Sequence, residues 1–494
     1  MTQPSALSRL HWVVLCGVFA LLATANAAGY HYGGSDQAFY IPAVVKALQP
    51  AAFPRDTPLI DAQARLILVD NLLAVNARLT GLSLETLFFV SYLASLAVTW
   101  GALALIGQQL YANRWLTLAL GAAFTMRHRI AETSANSFEP YFHPRMLAFA
   151  VGLLAVAALL RRRGWLAIVL VGLSAIVHAT TAIWFAALIG IALAVIDKRF
   201  RPVVVGGAAA AVAFLAWAVL AGPLQSSWVV MDSVWLRAVA SKDSLFADQW
   251  PWWAWLSNLG MLAVLWWAHR ARLARGAATD ADRGLVWGAT VLVAIFLLTL
   301  PAVMARLSFF VEFQISRVFW LVDFLATAYV IAAIATIRPR AARVLAMVLV
   351  AVSLGRGLYV MYVEHPERPL FATHVAESPW EDAMRWLRQQ PLDTHVLADP
   401  GHAWKYGTSV RVSAERDVLL EEVKDAALAM YSRDVAVRVV ERTNAVGDFT
   451  QMTADRARAL AARYDLDYLV TTAELPLPPA YANGQFRIYS LKQP

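Results

Sequence analysis

The chain's 494 residues are 59% hydrophobic and only 15% charged, and its mean hydropathy is +0.54. Soluble globular chains carry far more charge, so the expected solvent is a bilayer. A formal net charge of +8 invites a nucleic-acid partner, but the arginines stand in short blocks between apolar runs, so no nucleic acid is expected.

About eleven runs approach the roughly 20 apolar residues that a membrane crossing requires. They are 10–28, 84–108, 114–126, 145–160, 164–178, 181–196, 202–221, 253–268, 284–304, 317–337 and 343–361. Those at 114–126, 145–160 and 164–178 are short and are expected to be tilted, broken or buried. With a cytoplasmic N-terminus, Arg114, Arg161 to Arg163, Asp197 to Arg201, Arg270 to Arg283 and Arg338 to Arg343 all fall on the inner side. The C-terminus then lies outside, together with the loops 29–83, 127–144, 222–252 and 305–316. Ala25-Asn26-Ala27 has the form of a signal-peptidase site, but the apolar run continues to Ala28, and a retained anchor is expected. Cys16, the single cysteine, lies in that run and leaves no disulfide within the chain.

Ionisable groups at or near membrane depth are costly and mark function or pairing. Four clusters of this kind fall on the expected outer side. Asp36, followed by Gln37 and Tyr40, closes the first span. Its carboxylate is a candidate general base, with partial desolvation raising its pKa, or alternatively a helix cap. Glu139, His143 and Arg145 lie within a segment broken by Pro140 and Pro144, a shaped loop suited to a phosphate or a sugar hydroxyl. His178 sits in a tight turn, as a site residue or a satisfied structural group. Arg306, Glu312, Gln314 and Arg317 surround the start of the run at 317–337, where Arg317 suits a lipid phosphate or simply snorkels. Asp323, deeper in that run, needs a partner within the bundle. Of the tryptophans between 228 and 255, Trp235 and Trp250 are candidates for stacking on a sugar or prenyl chain; the remainder suit an interfacial belt.

After Tyr362 the composition becomes that of a soluble domain. Helices are expected at 380–389, from after 424 to about 440, and at 453–464; strands are expected at 394–400, 417–424, 465–472 and 485–491. Such alternation predicts a small α/β domain over 362–494 behind an α-helical polytopic domain over 1–361. Arg416, Glu422, Lys424 and Arg433 are placed either to reach back over the membrane portion or to form a solvated surface. There is no Gly-rich phosphate loop, HExxH, CxxC pair or Ser–His–Asp order, so neither a nucleotide site nor catalytic zinc is expected.

An acid just after the first span, many spans with substantial outer loops and an outer C-terminal domain together resemble the GT-C superfamily of integral-membrane glycosyltransferases. The stretches SDQAFYIPAVVKALQPAAFPRD, EPYFHPRMLAF and FQISRVFW look like those of uncharacterised bacterial members. The resemblance implies a multi-pass protein of the bacterial inner (plasma) membrane with a periplasmic or extracellular tail. It implies a lipid-linked sugar donor on polyprenyl phosphate, contact with membrane lipids and inverting transfer to an outer acceptor. Asp36 would be the first-loop acid, serving as catalytic base or metal ligand. Gln37 stands where members with a paired acid carry the second one, which weighs against a divalent cation such as Mg or Mn. Trp252-Trp253-Ala254-Trp255 lacks the acid of the oligosaccharyltransferase WWDxG motif, so transfer to protein asparagine is not expected. Two other classes stay open. One is a lipid or small-molecule transporter, disfavoured by ionisable groups gathered at one face and by the lack of mirrored halves. The other is a non-catalytic scaffold or sensor.

Overall fold

The computed structural model describes residues 9–64, 67–111, 113–222 and 224–492. Residues 1–8, on which the expected N-terminal orientation falls, lie outside the described residues. Among the described residues, six helices are long and apolar enough to cross a membrane by length and composition. They are Leu84–Leu110, Ala179–Ile196, Lys198–Leu220, Asp280–Met304, Ser308–Ile337 and Ala342–Glu364. The remaining expected runs are also helical, as Arg9–Asn26, Arg114–Thr125, Pro144–Leu160, Gly164–Val177 and Trp252–Leu273. Six of the expected eleven thus meet both requirements among the described residues; the others are short or, like Trp252–Leu273 with its tryptophans, Asn258 and His269, less apolar.

Burial orders these helices. In Ser308–Ile337, 72% of the apolar window is covered by protein, against 6% in Lys198–Leu220, so the first runs through the bundle and the second lies at its edge. Ala179–Ile196 and Asp280–Met304 approach closely through glycines. A Cβ added at Gly284 would stand 2.9 Å from the Ala192 carbonyl oxygen, and one at Gly288 2.7 Å from that of Leu188. Small residues allow such backbone approach where apolar surface supplies no hydrophobic drive. Two carboxylates inside the bundle are partnered. Asp323 meets His128 Nδ1 at 2.8 Å, and Asp282 accepts from the Tyr329 hydroxyl at 2.7 Å and lies 3.3 Å from Arg272.

The long first loop is itself built of helices, Gln37–Leu48, Thr57–Ala64 and Val69–Thr80. Tyr30–His31 pairs in parallel with Phe371–Ala372, tying the start of this loop to the chain that follows the last long helix.

The C-terminal portion carries a five-stranded sheet. Its order runs Asp417–Val418, His395–Leu397, Tyr468–Thr471, Arg487–Ser490 and Pro479–Ala482. The first three strands are parallel and the last two pair antiparallel. Pro379–Arg388, Arg433–Val446 and Ala454–Tyr464 are its main helices. The strand expected over 417–424 is cut to two residues, and Glu422–Leu428 is a helix. Asp56 supplies the reason. Its carboxylate accepts the Val418 N–H at 3.1 Å, so the first loop engages this edge of the sheet.

That contact belongs to a buried charge network between the first loop and the sheet. The Arg411 guanidinium reaches Asp56 at 2.7 Å and Asp425 at 2.6 Å, with Glu421 3.6 Å away. Arg438 also pairs with Asp56, and Asp417 accepts the backbone N–H groups of Arg55 and Asp56. Trp235, considered for ligand stacking, is a buried bolt in the same interface, its indole N–H donating to the Ala429 carbonyl at 2.7 Å. Trp250 is likewise committed to packing, stacked on Phe296 at 5.8 Å.

Candidate functional site

Ser35 adopts a left-handed conformation (φ 50°) that turns the chain into the helix Gln37–Leu48. Asp36 occupies the N-cap position of this helix but makes no capping hydrogen bond. Its carboxylate points to a different partner. Oδ1 accepts from Lys424 Nζ at 2.8 Å, and Oδ2 stands 3.6 Å from His143 Nε2. One turn along the same helix, the Tyr40 hydroxyl lies 3.4 Å from His143 Nε2.

The proline-broken segment ahead of Pro144–Leu160 delivers His143 and Arg145. His143 caps that helix, its Nδ1 accepting the Arg145 backbone N–H at 3.1 Å. The neutral ring then carries its proton on Nε2, the nitrogen facing Asp36 and Tyr40. Arg145 is buried and held by Glu139 at 3.0 Å, which also receives Asn136 and Arg127. His178 caps Ala179–Ile196, with Nδ1 accepting the Thr181 N–H, and its ring stands 6.4 Å from that of His143. Gln314, at φ 45°, turns the chain into Ile315–Arg317.

These groups converge. Asp36, Tyr40, His143, Arg145, His178, Gln314 and Arg317 line one cavity of ≈ 160 Å³. Gln37, Glu139, Arg306 and Glu312 are not among its lining residues. Gln37 is fully buried, accepting the Gly33 N–H and donating to the Phe142 carbonyl, and so pins the two loops together. Glu139 orients Arg145 from behind; Arg306 forms an ion pair with Asp248 at 2.8 Å; Glu312 accepts from Ser227. The cavity also gathers residues whose sequence context gave no signal. Lys242 and Ser244 come from the loop before Trp252–Leu273, Gln63 from the first loop, and Met430 and Tyr431 from the C-terminal portion.

The electrostatics are specific. Burial alone would push the Asp36 carboxyl up, as its position suggests, but Lys424 and His143 together hold it well below the usual carboxylate range. Asp36 is therefore ionised. Burial, reinforced by Arg145, lowers the His143 pKa to about 3, and burial with His143 and Arg317 nearby takes His178 well below its ordinary value. Both imidazoles are neutral. Burial and neighbouring Lys424 lower the Lys242 pKa. Arg145 is balanced by Glu139 and Lys424 by Asp36. The Arg317 Nε is buried without a hydrogen-bond partner. Among the described residues, no carboxylate stands within ion-pair distance of Arg317 or Lys242, so these two cations of the cavity wall are unmatched by a described acid.

The described residues do not suit a divalent cation: among them Asp36 is the one carboxylate lining the cavity and already faces an ammonium, and no group of three metal-ligating side chains occurs. An anion with a hydroxyl beside it suits the arrangement far better: cations for the charge and an ionised carboxylate for a proton.

No known family and no curated protein matches the chain. Among solved structures, the crystal structure of the Archaeoglobus fulgidus oligosaccharyltransferase, tethered with an acceptor peptide containing the NVT sequon via a disulfide bond, is similar at 13% identity and a TM-score of 0.46. The alignment covers 94% of this chain and 69% of that one. At that level the likeness assigns neither fold nor activity.

Proposed function

We propose that this chain is an integral-membrane glycosyltransferase that moves a sugar from a polyprenyl-phosphate carrier to a hydroxyl acceptor on the extracytoplasmic side of a bacterial inner membrane. One observation carries the reading: an ionised Asp36 shares a single cavity with Lys242 and Arg317, two cations that no described carboxylate pairs, at one end of a largely apolar bundle. On this reading a prenyl tail lies among the helices and its phosphate enters the cavity.

In the reaction, the acceptor oxygen forms a bond to the anomeric carbon while the bond from that carbon to the phosphate oxygen breaks, inverting the centre. The carrier goes from a singly charged diester to a monoester with one more negative charge. Arg317 and Lys242, which pair with no carboxylate among the described residues, would receive that growing charge and so favour the transition state over the ground state. The acceptor's proton passes to Asp36. A carboxylate held this acidic is a weak base toward a free hydroxyl. It suffices once bond formation to an oxocarbenium-like carbon has made the hydroxyl acidic.

The test uses the purified full chain with a polyprenyl-phosphate-linked sugar. Asp36→Asn is expected to lower kcat by about 10²- to 10⁴-fold, the usual contribution of a general base, with the protein still folded. Full transfer by that variant overturns the base. Unchanged cell-surface glycans and glycolipids in cells lacking the gene overturn glycosyl transfer altogether.

A further inference from the structure

We propose that Lys424, supplied by the C-terminal portion, is the positioning residue of Asp36: its ammonium takes Oδ1 and so reserves Oδ2 as the oxygen that receives the acceptor's proton. This rests on the glycosyl-transfer reading and assigns a role to a residue 388 positions away in sequence.

Three features separate this contact from an ordinary surface ion pair. The Lys424 side chain is only 9% exposed, so its charge is poorly screened. It is fixed on several sides, lying 2.8 Å from Asp36, 3.4 Å from the Ser35 hydroxyl and 5.2 Å from the centre of the Phe39 ring. The next residue, Asp425, is gripped by both arms of Arg411 at 2.6 and 3.2 Å, so the turn that carries Lys424 cannot drift. Docking of the sheet does not depend on Lys424. It is carried by Arg411, Arg438, Asp56 and Asp417. Lys424 is spare for docking and spent on Asp36.

Other charged groups near Asp36 leave this role unfilled. Lys242, Arg145 and Arg317 act on it through space without bonding to it. His143, neutral and 3.6 Å from Oδ2, is too far for a strong hydrogen bond. The phenols Tyr40, Tyr141 and Tyr431 carry no charge at working pH. Lys424 is the cation in contact. Without it, burial is opposed far less and the Asp36 carboxyl titrates higher.

The experiment compares the pH profile of kcat/KM for wild type, Lys424→Met, Lys424→Arg and Asp36→Asn, each full-length in lipid nanodiscs with the same polyprenyl-phosphate sugar. Activity requires ionised Asp36, so Lys424→Met is expected to move the acidic limb to higher pH and lower kcat, and Lys424→Arg to return the limb toward wild type. A folded Lys424→Met protein with an unmoved limb, alongside an inactive Asp36→Asn, overturns the role of Lys424 alone. Full activity in Asp36→Asn overturns the base, and with it this role. Should the methionine variant fail to fold, Lys424→Gln repeats the measurement with a polar side chain.

Discussion

Arg317 shows what an unmatched charge can mean. Its Nε is buried without a hydrogen-bond partner, and among the described residues no carboxylate stands in ion-pair range of it. A charge-assisted hydrogen bond is worth about 1.5–3 kcal/mol. Arg317→Gln is therefore expected to lower kcat for transfer from the phosphate-linked donor by about 10- to 100-fold in steady-state assays, with little loss in thermal stability, because no described ion pair is broken. A large drop in melting temperature would mean that the guanidinium serves the fold instead. Residues of this kind were legible in the sequence. Asp36, His143, Arg145, His178, Gln314 and Arg317 stood out as polar groups set against apolar runs, where their cost calls for explanation. Lys424, read as either reaching back over the membrane portion or lying on a solvated surface, does the former and meets Asp36, whereas Lys242 and Tyr431 lie in segments of ordinary polar composition, where a lysine or tyrosine costs nothing and signals nothing. Gln37 and Glu139 carried the same signal as the cavity residues but answer it by joining loops and orienting Arg145, a difference that only three-dimensional placement reveals.

The helices were read from apolar runs more securely than the edges of the sheet. Long apolar segments have one stable form in a membrane, whereas a short strand depends on what lies beside it. The stretch DVLLEEVK has strand-like composition. It pairs only over Asp417–Val418 because Asp56, from far along the chain, bonds to its backbone and Arg411 draws Asp425 into a helix. Asp56 is thus the residue through which two elements recognise each other, and it is fully buried between Arg411 and Arg438. Removing one member of a buried charge cluster leaves the others unpaired, at about 3–5 kcal/mol. Asp56→Ala is expected to destabilise the chain by that amount in chemical unfolding monitored on the C-terminal portion. A loss below about 1 kcal/mol would show that the network contributes little to docking.

Across the whole molecule, stability inherits the pH dependence of this interface. Burial raises the Glu421 pKa from 4.5 to about 7, against the pull of Arg411. The folded state thus holds this proton more tightly than the unfolded chain does. The stabilisation is complete below about 4.5 and is lost as pH rises through about 7. Thermal unfolding of wild type between these limits is expected to show this contribution, and Glu421→Gln to remove it. Parallel slopes for the two proteins would locate the titration elsewhere.

The separation of 388 residues between Asp36 and its ammonium partner also sets a schedule for biosynthesis. A ribosome must deliver every residue between the two before the pair can meet, and closing so long a loop is slow compared with forming any one helix. Nascent chains paused or broken off early would therefore sit in the lipid without the lysine that completes the reactive carboxylate. On the proposed reading, competence would come late, only after the C-terminal portion had been made and docked.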